Sequence, residues 1–252
     1  MIRSLTTLNN NFNILQKKQE NISANVANIN TSGYKSQEII QSTRASEMMS
    51  NHLDGPFLNQ QQDIGGFTFG NQIDEIAQNF SQGGLKATAS ATDVAIQGDG
   101  FFTVEAPNGG NYYTRNGNFA VNDTGELVTQ EGYRVLGTTA NGQPSPIQVN
   151  GTEFSIDNRG NISGTGMSLM VTEFEDTAGL TRAGDTIFTG QGGTVQMGGT
   201  VMQQNYLETS NVQTVDEITN LMQVSREFEA NQKALSAADE TLRKAVNEVG
   251  KV

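Results

Sequence analysis

The sequence predicts an α+β protein: helices at the two ends form an antiparallel coiled coil, and an antiparallel all-β domain is inserted between them. Three observations predict it. Apolar residues recur at heptad spacing at both ends of the 252-residue chain. From Asp93 onward, short β-rich segments alternate with Gly- and Asn-bearing turns. No apolar run approaches the 18 or so residues of a transmembrane helix.

At the N-terminal end, Leu5, Leu8, Phe12, Leu15, Gln19, Ile22, Val26 and Ile29 alternate spacings of 3 and 4. This is an a/d seam with one polar interruption at Gln19. The flanks are Asn, Gln, Lys and Glu. The helix is expected to end between Val26 and Gly33, a glycine suited to the left-handed conformation that closes a helix.

The C-terminal end repeats the pattern through Ile218, Leu221, Ser225, Phe228, Gln232, Leu235, Asp239, Leu242, Val246 and Val249. One seam position is apolar throughout; the other is polar at Ser225, Gln232 and Asp239. Met222 and Val224 widen the stripe. Thr214-Val215-Asp216-Glu217 reads as a capping box. No Gly or Pro interrupts 212–249, so a long helix fits, and the sustained 3.5-residue period predicts a left-handed supercoil.

Two packings suit these helices. They could cover the chain's own β domain, or pair with each other and with neighbouring chains. Seams at opposite chain ends favour the second, because one antiparallel pair brings the termini together. Burying the seven apolar residues of the N-terminal seam contributes roughly 2 kcal/mol each. Ordering the whole segment costs more than that sum, so an isolated pair needs further partners.

In the middle, β-rich segments are Val94–Ile96, Phe101–Val104, Tyr112–Thr114, Phe119–Val121, Leu127–Thr129, Tyr133–Leu136, Phe154–Ile156, Leu169–Phe174 and Thr186–Phe188. Turn pairs such as Asn116-Gly117, Thr124-Gly125, Glu131-Gly132, Asn141-Gly142 and Asn150-Gly151 separate them. The expected organisation is a helical part over 1–40, an extended Gln/Gly-rich linker over 41–85 and a β domain over 86–190. A return linker over 191–211, with Gly198 and Gly199, then leads to a second helical part over 212–252. The net charge is −12. Residues 51–211 carry five basic and seventeen acidic groups, whereas the two ends are nearly neutral, which permits close association between chains.

Composition excludes much chemistry. With no Cys and only His52, disulfides and thiolate or poly-His metal sites have no residues to use, and no convincing Ser/His/Asp arrangement surrounds the single His. An acidic chain lacks the basic face of a nucleic-acid binder. The start, Met1-Ile2-Arg3-Ser4, leads into Asn-rich sequence without the apolar core of a signal peptide. Gly98-Asp99-Gly100 lacks the third glycine and following helix of a dinucleotide fingerprint. Asp123–Glu126 and Asp157–Asn161 lack the alternating carboxylates of a calcium loop and read as hairpin tips. Glu173, Glu175 and Asp176 could form a carboxylate pair for glycoside hydrolysis, but no other residue supports a site there. No catalytic residue, cofactor, metal or small-molecule substrate is expected.

Four segments resemble the bacterial flagellar rod and hook family. Asn28, Asn30, Thr31, Gly33, Tyr34 and Lys35 lie in a stretch similar to its N-terminal signature. Asp93 to Phe102, with Gly98, Gly100, Phe101 and Phe102, resembles the opening of its β domain. Tyr113–Phe119 and Gly125–Thr129 resemble its first hairpins, and Tyr206–Val212, with Glu208, Ser210, Asn211 and Val212, resembles its C-terminal signature. The matches fall in family order along nearly the whole chain, and the last looks most like the distal rod type.

The resemblance implies a structural subunit of the flagellar basal body, outside the cytoplasmic membrane. It implies export by the flagellar apparatus without a cleaved signal, and polymerisation with itself and with other rod and hook subunits. The implied assembly interface comprises Leu5, Leu8, Phe12, Leu15, Ile22, Val26, Ile29, Ile218, Leu221, Phe228, Leu235, Leu242 and Val246, with the polar seam residues setting register. Three rival readings remain: a related rod or hook-type subunit, an accessory that templates the axial structure without staying in it, and a secreted β-domain enzyme or carbohydrate binder with helical arms.

Overall fold

A computed structural model of the chain describes residues 2–52, 61–149, 151, 154–196 and 200–249. The chain divides into two compact units. One contains Met1–Asn25, Gln37–Ala77 and Thr214–Val252; the other contains Val26–Ser36 and Gln78–Gln213. Along the sequence, one helix thus precedes and another follows an antiparallel β-rich region, as an α+β chain requires.

In the first unit, helix α1 (Ile2–Ala27) is free of Gly and Pro. Its apolar residues bury one stripe, including Ile14, Leu15 and Ile22. It carries no acidic residue in its first turn and no basic residue in its last, so nothing offsets its macrodipole. Helix α2 (Thr214–Lys244) does the opposite. It places Asp216 and Glu217 in the first turn and Arg243 and Lys244 in the last, and it continues as one π turn over Ala245–Val249. No helix among the described residues is long and apolar enough to cross a membrane.

The segment read from the sequence as a linker over 41–85 is instead largely a two-stranded ribbon. Strand β1 (Gln37–Thr43) pairs with β4 (Asn71–Gln78). Nested inside this pair, β2 (Glu47–His52) runs antiparallel to β3 (Gln61–Phe67), with a bulge between Met49 and Ser50. The Arg44 amide donates to the Gly70 carbonyl at 3.0 Å where the two pairs meet. The ribbon is held by its backbone ladder rather than by a buried face: Ile40, Met48, Ile64 and Ile76 are all exposed. Composition alone therefore reads as linker, because the apolar alternation that marks a half-buried strand is missing.

The second unit holds β5 (Leu85–Ala87), β6 (Val94–Gln97), β7 (Phe101–Glu105), β8 (Asn111–Thr114), β9 (Phe119–Val121), β10 (Leu127–Thr129), β11 (Arg134–Thr138), β12 (Pro144–Pro146), β13 (Ser168–Leu169), β14 (Val171–Glu173), β15 (Thr181–Arg182), β16 (Ile187–Thr189), β17 (Thr194–Gln196), β18 (Val201–Gln204) and β19 (Tyr206–Glu208). The main sheet runs β15-β16-β8-β7-β11-β10-β9, with β12 and β13 on β11 and β14 bridging β7 to β17. All its pairings are antiparallel.

Strand β7 explains why two-residue alternation is weak in the sequence. Phe101 and Phe102 are both fully buried, because successive side chains on a strand point to opposite faces and both faces of β7 are covered. Phe102 joins a core with Val94, Ile96, Val104, Phe119, Leu127, Val135 and Ile147. Phe101 joins a second cluster with Leu180 and Phe188, flanked by Phe80, Tyr113 and Phe174.

Two further expectations change. Phe154–Ile156 forms no strand and contributes one bridge, Ile156 to Ile162. The return segment 191–211 is not an open linker. It contains β17, and its β18 pairs with β6 and β19 with β5. Asn150, Thr152, Gly198 and Gly199 lie outside the described residues.

Candidate assembly site

The candidate surface in the first unit lies on the two helices. Leu15 and Ile22 are buried, Leu5, Leu8, Leu221, Phe228 and Leu242 are half-buried, and Phe12, Ile218, Leu235 and Val246 are exposed. The Phe12 and Phe228 rings meet edge to face, with centroids 5.0 Å apart, the favoured geometry for an aromatic pair. Beside them opens a groove of about 520 Å³ lined by Leu8, Asn9, Phe12, Phe228, Asn231, Gln232 and Leu235.

The inward stripe of α2 is offset from the sequence-derived seam. Leu221 and Phe228 are half-buried. The alternate positions, however, are Glu217, Val224, Asn231 and Ala238 rather than Ser225, Gln232 and Asp239, which are exposed. Helix α1 shifts likewise: Gln19 faces solvent and Asn25 is buried. A 3,4 spacing fixes a helix face only to within one residue, so either neighbour of each polar position satisfies it. The signal that would have found the true stripe is Val224, an apolar residue at the displaced position.

Asn25 is the polar hub of this surface. Its amide donates to the Gln37 carbonyl at 3.0 Å and accepts from the Gln37 amide at 3.1 Å. It also donates to Glu217 Oε1 at 3.0 Å. Burial raises the Glu217 carboxyl above its ordinary range; the Asn25 bond opposes the rise, and the charges of Asp216 and Glu38 add to it. The Asn231 amide donates to the Leu8 carbonyl at 3.1 Å, while its Oδ1 is buried without a partner.

In the second unit, the residues that carry the family resemblance converge. After α1, a turn through Asn28 and Thr31, whose side chains bond at 3.0 Å, leads to Gly33. Gly33 has φ +69° and donates to the Glu208 carbonyl at 2.8 Å. A Cβ there would overlap the backbone of Arg115 and Asn116. Tyr34 and Lys35 are fully buried. Lys35 Nζ pairs with Glu208 Oε1 at 2.7 Å, and Arg115 Nη1 reaches Glu208 Oε2 at 3.4 Å. Arg182 lies over the Tyr34 ring, 4.7 Å from its centroid. Asn211 Oδ1 accepts from the Ser36 amide, and its amino group donates to the carbonyls of Asn79 and Ser81. Val212 is buried, Ser210 and Gly98 are half-buried, and Asn30 is exposed. Gly100 is buried against Val171, where a Cβ would overlap that side chain. Arg115 lies in the Tyr113–Phe119 segment, and nothing in its Thr-Arg-Asn-Gly setting separates a buried arginine from a solvated one.

Three of the candidate carboxylates are engaged by neutral partners. Glu173 accepts from Thr200 Oγ1 at 2.9 Å, while Asp176 caps a 3₁₀ turn through the Ala178 amide. Asp157 is engaged by the amides of its own loop, from Arg159 and Asn161. Among the described residues no group of three His, Asp or Glu side chains is placed to hold a metal.

Three family descriptions match the chain in order. They are a flagella basal body rod protein over residues 12–35, the flagellar hook protein FlgE/F/G D1 domain over 95–164, and the flagellar basal body rod FlgEFG protein C-terminal region over 203–248. Among similar proteins, the flagellar basal-body rod protein FlgG of Caulobacter vibrioides is 31% identical, covering 96% of this chain and 97% of the relative. FlgG of Bacillus subtilis is 30% identical, covering 98% and 99%. The flagellar basal-body rod protein FlgF of Caulobacter vibrioides is 32% identical, covering 94% of each. With the signature residues clasped around Glu208 and the relatives aligned almost end to end, the chain belongs to the flagellar basal-body rod and hook family, and its likeness runs foremost to FlgG.

Proposed function

We propose that the protein is a structural subunit of the flagellar basal-body rod, of the distal rod type, and that it acts by assembly rather than by turnover. The observation that carries this reading is the near full-length alignment with rod proteins named FlgG. The apolar stripe left uncovered on the helices supports it: Phe12, Ile218, Met222, Leu235 and Val246 are exposed, a pattern that calls for a partner.

In this reading α1 and α2 pair as an antiparallel coiled coil and pack against the same helices of neighbouring copies, forming the inner layer of a tube. The β unit forms the outer layer. Many such contacts in parallel transmit torque to the hook. The partners are further copies of this chain, adjoining rod and hook subunits, and the flagellar export apparatus that delivers the chain. No substrate, cofactor or nucleic acid takes part.

The test is deletion of the gene, followed by electron microscopy of purified basal bodies and a motility assay. A truncated rod lacking hook and filament is expected; complete, motile flagella would overturn the reading. The FlgF relative favours a second reading, a neighbouring rod type. Complementation of separate flgG and flgF deletions by this gene separates the two.

A further inference from the structure

The junction around Glu208 places two cations against one carboxylate in the interior of the second unit. Lys35 and Arg115 each have side chains only 1% exposed, as has Glu208. Lys35 also donates to the Ser81 carbonyl at 2.7 Å. Glu208 Oε1 accepts from the Gly83 amide at 2.9 Å as well as from Lys35. The Arg115 guanidinium stacks on Phe101, 4.8 Å from the ring centroid, and its Nε is buried without a hydrogen-bond partner. Burial pulls both cations below their ordinary pKa, with Glu208 as the leading opposing charge and Asp99 at longer range. Neither cation is at ease there without the carboxylate.

The order of these residues in the chain matters. Lys35 comes first, Arg115 lies in the middle of the β unit, and Glu208 follows nearly all the strands. Any chain delivered from its N-terminus therefore presents both cations long before the carboxylate that neutralises them. A buried charge stripped of its partner is strongly destabilising, whereas replacing a whole buried ionic group by apolar residues is often tolerated.

We propose that Lys35, Arg115 and Glu208 form a completion latch: the second unit is held open by two uncompensated cations until Glu208 arrives and closes it. This goes beyond the rod reading and does not depend on it, since it concerns a single chain. A nascent or translocating chain lacking Glu208 stays unfolded even though strands β6 to β17 are already present. The pairing of β19 with β5, which brings Glu208 opposite Leu85, is the closing step.

The test uses hydrogen exchange on the full-length chain, read at the amides of Val94, Phe102 and Val135. Glu208→Gln keeps the shape and removes the charge, so it mimics the chain before closure. The latch predicts exchange faster by on the order of a hundredfold or more. The triple variant Lys35→Met, Arg115→Met and Glu208→Leu removes cations and carboxylate together and is expected to restore protection to within about tenfold of the parent. Unchanged exchange in Glu208→Gln would overturn the proposal. So would a triple variant as unprotected as Glu208→Gln, because the loss would then come from missing hydrogen bonds to Gly83 and Ser81 rather than from stranded charge.

Discussion

Phe12 of α1 and Phe228 of α2 join the two ends of the chain through one edge-to-face ring contact, 5.0 Å between centroids. Phe12 nevertheless remains 42% exposed, so the pair is both an internal tie and part of an open surface. Phe228→Asp places a charge in that surface. The variant is expected to be absent from purified rods and to abolish motility, while near-UV circular dichroism of the β unit stays at the parent level. Normal motility would contradict the assembly role of this ring.

Asn25 satisfies both backbone groups of Gln37 and bonds Glu217. Asn25→Ala takes the side-chain partner from a half-buried carbonyl and amide of Gln37, which costs about 1 kcal/mol or more. Denaturant unfolding followed by exchange in α1 should show the first unit destabilised by that amount and the second unit unaffected.

Gly33 has φ +69° and lies against the Arg115 and Asn116 backbone. Gly33→Ala combines a disfavoured backbone with an overlap that no flexible side chain can relieve. A loss of about 2 kcal/mol or more in the second unit is expected, measured by chemical denaturation. A thermal midpoint within a degree of the parent would refute it.

Glu217 has its carboxyl pKa raised by burial. A carboxylate whose folded pKa lies above its unfolded value favours the folded state when protonated. Its contribution is complete below the unfolded value, about 4.3, and is lost as pH rises through the folded value. Glu217→Gln, which keeps an acceptor for Asn25, is expected to stabilise the first unit at pH 7. The gain should vanish below about pH 4. Thermal unfolding of both proteins across pH 3.5–8 checks the sign.

The helices and the β segments were legible because each carries a local signal: a 3,4 spacing from Leu5 to Ile29, and turn glycines between short apolar runs. The facing stripe of α2 was not. Period fixes a helix face only to within one residue, and contact decides between Val224 and Ser225 or between Asn231 and Gln232. The ribbon over Gln37–Gln78 escaped for a different reason. Its stability resides in main-chain bonds such as those pairing Glu47 with Phe67, and backbone bonds leave no trace in side-chain pattern. The signature residues were legible as motifs, but their convergence on Glu208 was not, since sequence shows that Gly33, Lys35, Arg115 and Glu208 are present without showing that they meet.

Inside the second unit, the chain enters and leaves the main sheet through a doorway two strands wide. Residues 85–97 go in beside 201–208 coming out, with Leu85 opposite Glu208 and Gln97 opposite Val201. Everything beyond that doorway is a closed excursion, from which Arg115 and Arg182 reach back to Glu208 and Tyr34. A different excursion whose ends fit the same two-strand gap could be exchanged for this one without altering the spacing of the threads that carry it. One pair of helical ends could then serve chains with very different β regions.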